Sequence, residues 1–174
     1  MARAVLAAGT ALAISAATAL PAAGATSGSE TLKGTIVTSG VSGNRTVIHS
    51  VVVAKGVFSG VGRIVELPND PSQPDVSFDD LVFPEGTMHL SSTGGDLTSV
   101  SLNPANCQVS FTLQGQTGQI TGGTGQFAHA TGNFPTNTAK VVGLAARDPD
   151  GSCSQTKPLL HDVEMLASSG TLSF

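Results

Sequence analysis

The stretch Ile120–Phe134, ITGGTGQFAHATGNF, contains the run Gly123–Ala128, which fits the dinucleotide-binding pattern G-x-G-x-x-A. That pattern binds a pyrophosphate only where the glycines end a strand and open a helix. Gly132 and Pro135 lie where such a helix would run. The residues about 20 positions further on, where an acid would hold the ribose, are apolar (Gly143–Ala146). The sequence therefore argues against a nucleotide site, and no cofactor is predicted.

The same glycines suit a tight connection between two strands. Gly122, Gly123 and Gly125 permit positive φ angles and close approach of another backbone segment. Phe127 is placed to plug a protein interior, and Gly132 leaves room where a following strand curves. We therefore predict a structural turn carried by Gly122, Gly123, Gly125 and Gly132, with extended segments on both sides.

The rest of the chain also favours strands, because its segments are rich in β-branched residues or alternate apolar with polar residues. In residues 107–115, Val109, Phe111 and Leu113 share one face of such a strand. The predicted strand segments are 31–39, 45–54, 56–67, 87–92, 97–103, 107–115, 138–146 and 161–174.

Three details of this assignment depend on glycine and proline. Gly60 and Gly62 predict a bulged or bent strand over residues 56–67. Pro68–Asp80 is predicted to be a loop, since it holds three prolines and four aspartates. The C-terminal segment is predicted to be a strand pair hinged near Ser169 and Gly170.

About eight to ten short strands without a convincing helix predict an all-β fold. Such strands bury their apolar faces as a closed barrel or as a sandwich. We expect an antiparallel closed β-barrel of about eight strands, because closure removes exposed strand edges; the alternative is a β-sandwich. Eight strands enclose space for side chains or for one small ligand.

The N-terminus has the features of a cleaved secretory signal. Arg3 precedes the apolar run Ala4–Leu20, and Ala23-Gly24-Ala25 fits the small-x-small cleavage pattern. A membrane anchor fits less well, because a span needs about 20 strongly apolar residues and this run is mostly alanine. We predict a signal peptide at residues 1–25, a single barrel domain at 26–174 without a membrane span, and a secreted, extracytoplasmic protein.

The charge of the predicted mature chain argues against nucleic acid as a partner. Arg3 is the only charged residue of residues 1–25, so seven of the eight basic and all 12 acidic residues remain, a net charge of −5. Nucleic-acid binding depends on Lys and Arg that neutralise phosphates. No basic cluster is present in the sequence, so nucleic acid is excluded.

Cys107 and Cys153 are the two cysteines of the chain, and both fall in the predicted exported part. An even number of cysteines in an oxidising compartment predicts one disulfide. A catalytic thiol or a metal-binding pair are the alternatives, but no C-x-x-C motif or nearby Cys/His cluster favours either of them.

The glycine stretch also carries a family resemblance. GGTGQFAHATGNF (122–134) resembles the G-G-T-G-x-[FY]-x-x-A-x-G signature of the allene oxide cyclase and dirigent group of eight-stranded barrels. Most of residues 26–174 resembles a set of secreted actinobacterial proteins of unknown function. This similarity lies in FPEGT (83–87), a Cys on each side of the glycine stretch, RDPDGSC (147–153) and the closing GTLSF (170–174). The resemblance implies a barrel with an apolar cavity, and it does not imply cyclase activity.

Two acids are the candidate catalytic residues. Glu66 in RIVELP and Glu164 in DVEML each lie within an apolar strand. If buried, such a carboxylate would have a raised pKa and could shuttle a proton. The alternative is an outward-facing glutamate on the solvent side of a strand.

Other chemistry has weaker support. Asp79 and Asp80 could form an acid/base pair, and Asp148 with Asp150 could bind calcium, but solvated loop acids explain both pairs more simply. No HxH or HExxH motif is present, so no metal site is predicted. The four histidines lie far apart in the sequence, at His49, His89, His129 and His161.

These observations predict a disulfide-stabilised barrel that binds a small apolar molecule, with Phe111 and Phe127 as ligand-binding residues. The first alternative is a structural envelope or extracellular protein whose barrel is filled with side chains. The second is a cyclase- or isomerase-type enzyme that uses Glu66 or Glu164. The sequence does not define an oligomeric state.

Overall fold

The computed structural model describes residues 26–40 and 44–174, and nearly all regular structure in these residues is β-strand. The predicted signal peptide, residues 1–25, lies outside the described residues. One short 3-10 turn is present at Gly125–Phe127. Among the described residues, no helix has the length and apolar character that a membrane crossing requires. The strands are β1 (Ser27–Ser39), β2 (Thr46–Gly56), β3 (Ser59–Glu66), β4 (Val76–Phe83), β5 (Gly86–Thr93), β6 (Asp96–Asn103), β7 (Gln108–Gly123), β8 (Thr131–Leu144) and β9 (His161–Ser173).

Eight of the strands form a closed antiparallel barrel. The sheet order is β5-β4-β3-β2-β1-β9-β8-β7, and pairing of β5 with β7 closes the circle. The predicted all-β barrel is therefore confirmed, and the sandwich alternative is wrong.

The ninth strand, β6, lies outside this circle. It follows β5 along the same edge of β7: β5 pairs with residues 117–123 of β7, and β6 pairs with residues 108–114. Within the described residues β6 pairs with no other strand. We call β6 together with residues 108–114 of β7 the lip of the barrel.

One end of the barrel is filled by aromatic side chains. Phe127 is completely buried, and its ring makes edge contacts with Phe58 and Phe174 at centroid distances of 5.0 and 5.4 Å. Phe58 also contacts Phe83 at 4.9 Å. Such edge-to-face contacts add to the stabilisation that burial alone provides. This aromatic cluster seals one end of the barrel.

The glycine stretch connects β7 to β8 and wraps around the turn between β4 and β5. Gly125 has a φ of 58°, and the backbone N–H of Gln126 donates to the carbonyl of Glu85 at 3.0 Å. A Cβ at Gly123 would lie 1.9 Å from the carbonyl oxygen of Thr87. This close approach is possible only for glycine, and it carries the chain from the wall of the barrel to Phe127.

The segment 56–67, predicted as one bent strand, instead contains the β2–β3 hairpin turn at Val57 and Phe58, followed by β3. β2 ends at Gly56 and β3 begins at Ser59. The carboxylate of Glu30 accepts the N–H of Phe58 at 2.9 Å, and it thereby satisfies a backbone donor that the turn would leave unpaired. The sequence prediction missed the turn because its partner group lies on β1.

Two further predictions on strand ends are corrected. The predicted loop Pro68–Asp80 overlaps β4, which starts at Val76 because residues 76–83 pair along their whole length with β5. The C-terminal segment is one strand without a hinge. Gly170 lies within continuous pairing to β1, and a Cβ there would meet the carbonyl oxygen of Asn133 at 2.1 Å. This glycine permits close packing and does not bend the strand.

The predicted disulfide is confirmed. Cys107 and Cys153 are bonded, with 5.4 Å between their Cα atoms and a sequence separation of 46 residues. The bond ties the residue before β7 to the loop that follows β8. It therefore fixes the outer end of the lip, at the turn between β6 and β7, to the loop that follows β8.

Substitution of Gly123 tests the backbone constraint at the β7–β8 connection. We expect Gly123→Ala to lower the free energy of unfolding by at least about 3 kcal/mol, because the new methyl group overlaps the Thr87 carbonyl. Gly115→Ala is the matched control: its Cβ meets no atom within 4 Å, and only its φ of 75° is unfavourable, at a cost of about 1–2 kcal/mol. Urea unfolding measures both, and equal losses would contradict the constraint.

Removal of the disulfide tests its contribution to stability. The double variant Cys107→Ala/Cys153→Ala should unfold with up to about 4 kcal/mol less free energy, because the unfolded chain is no longer cross-linked. Urea unfolding of the wild type in excess dithiothreitol should show a similar loss. An unchanged midpoint in both experiments would show that the bond adds no stability.

Candidate ligand-binding site

The end of the barrel opposite the aromatic cluster contains a cavity of about 420 Å³. Polar and apolar groups contribute about equally to its wall. A smaller apolar pocket of about 40 Å³ lies next to it and shares Asp79, Leu90, Leu166 and Ser168 with it. The apolar residues that line the cavity are Ile36, Leu67, Phe78, Leu90, Leu113, Ala139 and Leu166.

The alternation of each strand explains how one barrel has a filled end and an open end. On β4, Asp79, Leu81 and Phe83 all point inward, because side chains two apart share a face. Asp79 lies at the cavity and Phe83 in the aromatic cluster. The small apolar pocket, which Leu81 also lines, lies between them, so Asp79 marks the floor of the cavity.

Arg45 links two carboxylates across the cavity. Its guanidinium donates to Glu66, at the end of β3, and to Glu164, on β9. Although burial opposes its charge, these two carboxylates raise the pKa of Arg45 further above its already high value. Arg45 therefore stays cationic and holds both glutamates at the mouth of the cavity.

Asp79 is the carboxylate that Arg45 does not bind. Burial, together with the negative charges of Glu66 and Glu164, raises the pKa of Asp79 to about 6, although Arg45 partly opposes the shift. Burial also raises the pKa of Glu164, although Arg45 stabilises its charged form. The charge of the cavity therefore changes close to neutral pH.

The ionised cavity carries an excess of negative charge. Three carboxylates, Glu66, Asp79 and Glu164, surround the single guanidinium of Arg45, which gives a local charge of −2, or −1 when Asp79 is protonated. In the described part of the chain, no group of three or more His, Cys, Asp or Glu side chains is arranged to hold a metal ion.

The structure brings together only some of the predicted site residues. Glu66 and Glu164 both line the cavity, where Arg45 joins them. Phe127 lies in the sealed aromatic cluster and does not line the cavity. Phe111 is half-buried on the same face of β7 as Leu113, but it lies further out along the lip.

Two residues define the electrostatics of the site: Arg45, which no motif indicated, and Asp79, which the sequence placed in a solvated loop. Asp79 could have been recognised from the alternation of Val76–Phe83, had the prolines before it not extended the predicted loop. Arg45 gives no such signal, because it precedes β2 and only the fold brings it close to Glu66 and Glu164. Asp79 and Asp80 do not form a pair: Asp80 points outward and contacts His89 at 2.6 Å.

Comparisons of this chain with models of protein families, with curated proteins and with solved structures gave no match. The fold and the site therefore define its class: an eight-stranded antiparallel β-barrel with one disulfide, one sealed end and one open, charged cavity.

The raised pKa of Asp79 has a consequence for stability. Its pKa in the folded protein, about 6, exceeds the ordinary value of 3.8, so folding disfavours the ionised form. The contribution of Asp79 is then most favourable below about pH 4 and is lost as the pH rises through 6. We expect Asp79→Asn to be more stable than the wild type at about pH 7.5, by up to about 3 kcal/mol, and this gain should shrink towards pH 4.

The measurement is urea unfolding of both proteins at several pH values. Asp80→Asn is the matched control, because it removes the neighbouring carboxylate from the outer surface and should not reproduce this gain. A stability gain for Asp79→Asn that is the same at pH 4 and pH 7.5 would contradict the assigned titration.

Proposed function

We propose that this protein binds a small molecule in the open half of its barrel. The observation that carries the proposal is the cavity of about 420 Å³ between the aromatic cluster and the open end. This volume lies within the range of about 300–1,000 Å³ that is typical of small-molecule sites, and the wall offers both apolar surface and polar groups. An apolar body would contact Ile36, Leu90 and Leu166, and a polar group would meet the charged residues.

The structural alternative, a barrel filled with side chains, describes only the half around Phe127. There the rings and the neighbouring apolar residues pack against one another. The open half retains space and carries charge at a position where aliphatic side chains would pack more favourably. This combination supports ligand binding over a purely structural role.

The enzyme alternative rests on Glu66 and Glu164 as proton-transferring groups. Both are held by the guanidinium of Arg45, so oxygens that a proton transfer would need are already engaged as hydrogen-bond acceptors. Their arrangement is better suited to holding charge in place than to exchanging protons. We therefore favour binding over a cyclase- or isomerase-type reaction.

We further propose that the protein acts outside the cytoplasm. The disulfide between Cys107 and Cys153 supports this location, because such bonds persist in oxidising compartments. The signal-like sequence of residues 1–25 supports it as well. We also propose that the resemblance of the glycine stretch to the allene oxide cyclase and dirigent barrels reflects a related barrel, which agrees with a small-molecule site.

Fluorescence tests the binding proposal. The chain contains no Trp or Tyr, so a single introduced indole reports on its own surroundings. We expect wild-type protein to bind the neutral apolar probe N-phenylnaphthylamine saturably. In Leu166→Trp, which alters the cavity wall, the probe should either shield the indole from acrylamide quenching or fail to bind because the indole occupies its place.

Met165→Trp is the matched control. Met165 is the adjacent residue of β9, and its side chain lies on the outer surface with 42% exposure. This variant should bind the probe like the wild type, with unchanged quenching. The proposal is wrong if the wild type shows no saturable binding, or if both indoles respond identically to the probe.

A further inference from the structure

An apolar surface leads out of the cavity along the lip. Leu97 on β6 lies directly opposite Leu113 on β7, and directly opposed residues of paired strands point to the same face. Leu113 lines the cavity, so Leu97 is on the cavity side of the lip. Its side chain is nevertheless 59% exposed.

The same face continues towards the disulfide. Phe111 lies two residues before Leu113 on β7 without a register shift between them, so it shares this face. Val109 precedes it by two further residues and pairs with Leu102 of β6. We call these residues the apolar lip face: Leu97, Leu102, Val109, Phe111 and Leu113.

The floor of the cavity carries a carboxylate, in contrast to the apolar lip face. Asp79 lies at the boundary between the cavity and the small apolar pocket, whose wall includes Leu81 and Leu90. Arg45 is engaged by Glu66 and Glu164, and Asp79 makes no side-chain hydrogen bond to another described residue. A carboxylate in such surroundings is stabilised by a cation that enters from outside.

We propose that the ligand of this site is a cationic amphiphile, whose ammonium group pairs with Asp79 on the cavity floor and whose alkyl chain leaves through the mouth along the apolar lip face. This inference rests on the proposed function. The charge of the cavity favours a cation over an anion, and the lip continues the apolar wall of the cavity through Leu113. The exposed lip face is thereby assigned one occupant, the chain of the bound molecule.

The proposal predicts a specific pH dependence. The groups that face Asp79 are Glu66 from β3, Glu164 from β9 and Arg45 from the segment before β2, while β5 places the uncharged Leu90 beside it. An ammonium ion binds the carboxylate form of Asp79 better than the acid. Affinity for an amine should therefore rise as the pH increases through about 6 and level off above it.

The experiment uses full-length protein and a series of ligands below their micellar concentrations: hexylamine, octylamine and decylamine, with octanol and octanoate for comparison. Calorimetry at about pH 5 and about pH 7.5 measures their affinities. We expect octylamine to bind better than octanol, octanoate to bind worst, and affinity to rise about twofold per methylene. In free energy, a twofold gain per methylene is about half of the gain from burying a methylene completely, because the lip is partly open to water.

Two pairs of variants test separately the contact of the ammonium group and the contact of the alkyl chain. Asp79→Asn should weaken octylamine at least about tenfold at pH 7.5, abolish the pH dependence and leave octanol unchanged, whereas Asp80→Asn should change none of these. Leu97→Ser should reduce the gain from octylamine to decylamine. Val61→Ser is its control, since Val61 is 61% exposed on the outer face of β3.

The outcomes distinguish this inference from the proposed function. If N-phenylnaphthylamine binds in the cavity but octanoate binds as well as octylamine, or if chain length has no effect, the cationic amphiphile is wrong and a small-molecule site remains. If neither the probe nor any amine binds, the proposed function is wrong and this inference falls with it.

Discussion

The close approach of the β7–β8 connection to the start of β5 is the constraint on which the architecture depends. Gly123 lies against the Thr87 carbonyl, where no Cβ fits, and the N–H of Thr124 donates to that same oxygen at 2.8 Å. This contact lies beside the β5–β7 pairing that closes the barrel, and it directs Phe127 into the interior. Closure of the wall and sealing of one end therefore follow from the same few backbone atoms, and a sealed end turns the remaining interior into a cavity with a floor.

Some charged groups of the open end are held in ion pairs, and one carboxylate is not. Arg45 holds Glu66 and Glu164 together, and ion pairs of this kind place charge accurately because each partner restrains the others. Asp79 has no such partner, and burial together with the negative charges of Glu66 and Glu164 brings its pKa to about 6. The cavity thus combines a permanent charge pattern with one carboxylate whose charge responds to its surroundings.

The fold could be predicted from the sequence further than the site could. Strand alternation and turn residues are local signals, so the barrel, the disulfide and the β7–β8 connection were accessible without coordinates. The hairpin at Val57 and Phe58 was not, because Glu30 supports it from another strand. The site required more: Arg45, Glu66, Asp79 and Glu164 come from four separate parts of the chain, and only strand order and register bring them together. The prolines before Val76 gave a loop signal strong enough to conceal the start of β4, and Asp79 with it.

The two ends of the barrel also show how a structural carboxylate differs from one available to a ligand. Glu30 is only 1% exposed, and burial raises its pKa, yet its oxygens accept the N–H groups of Phe58 at 2.9 Å and Thr31 at 3.3 Å. Its hydrogen-bonding capacity is used by the hairpin that supports the aromatic cluster. Asp79 is less buried but faces open space without such donors. Burial and a raised pKa are common to both groups, so neither property identifies a binding residue. What separates Asp79 from Glu30 is that its carboxylate faces the cavity and accepts no hydrogen bond from a described residue.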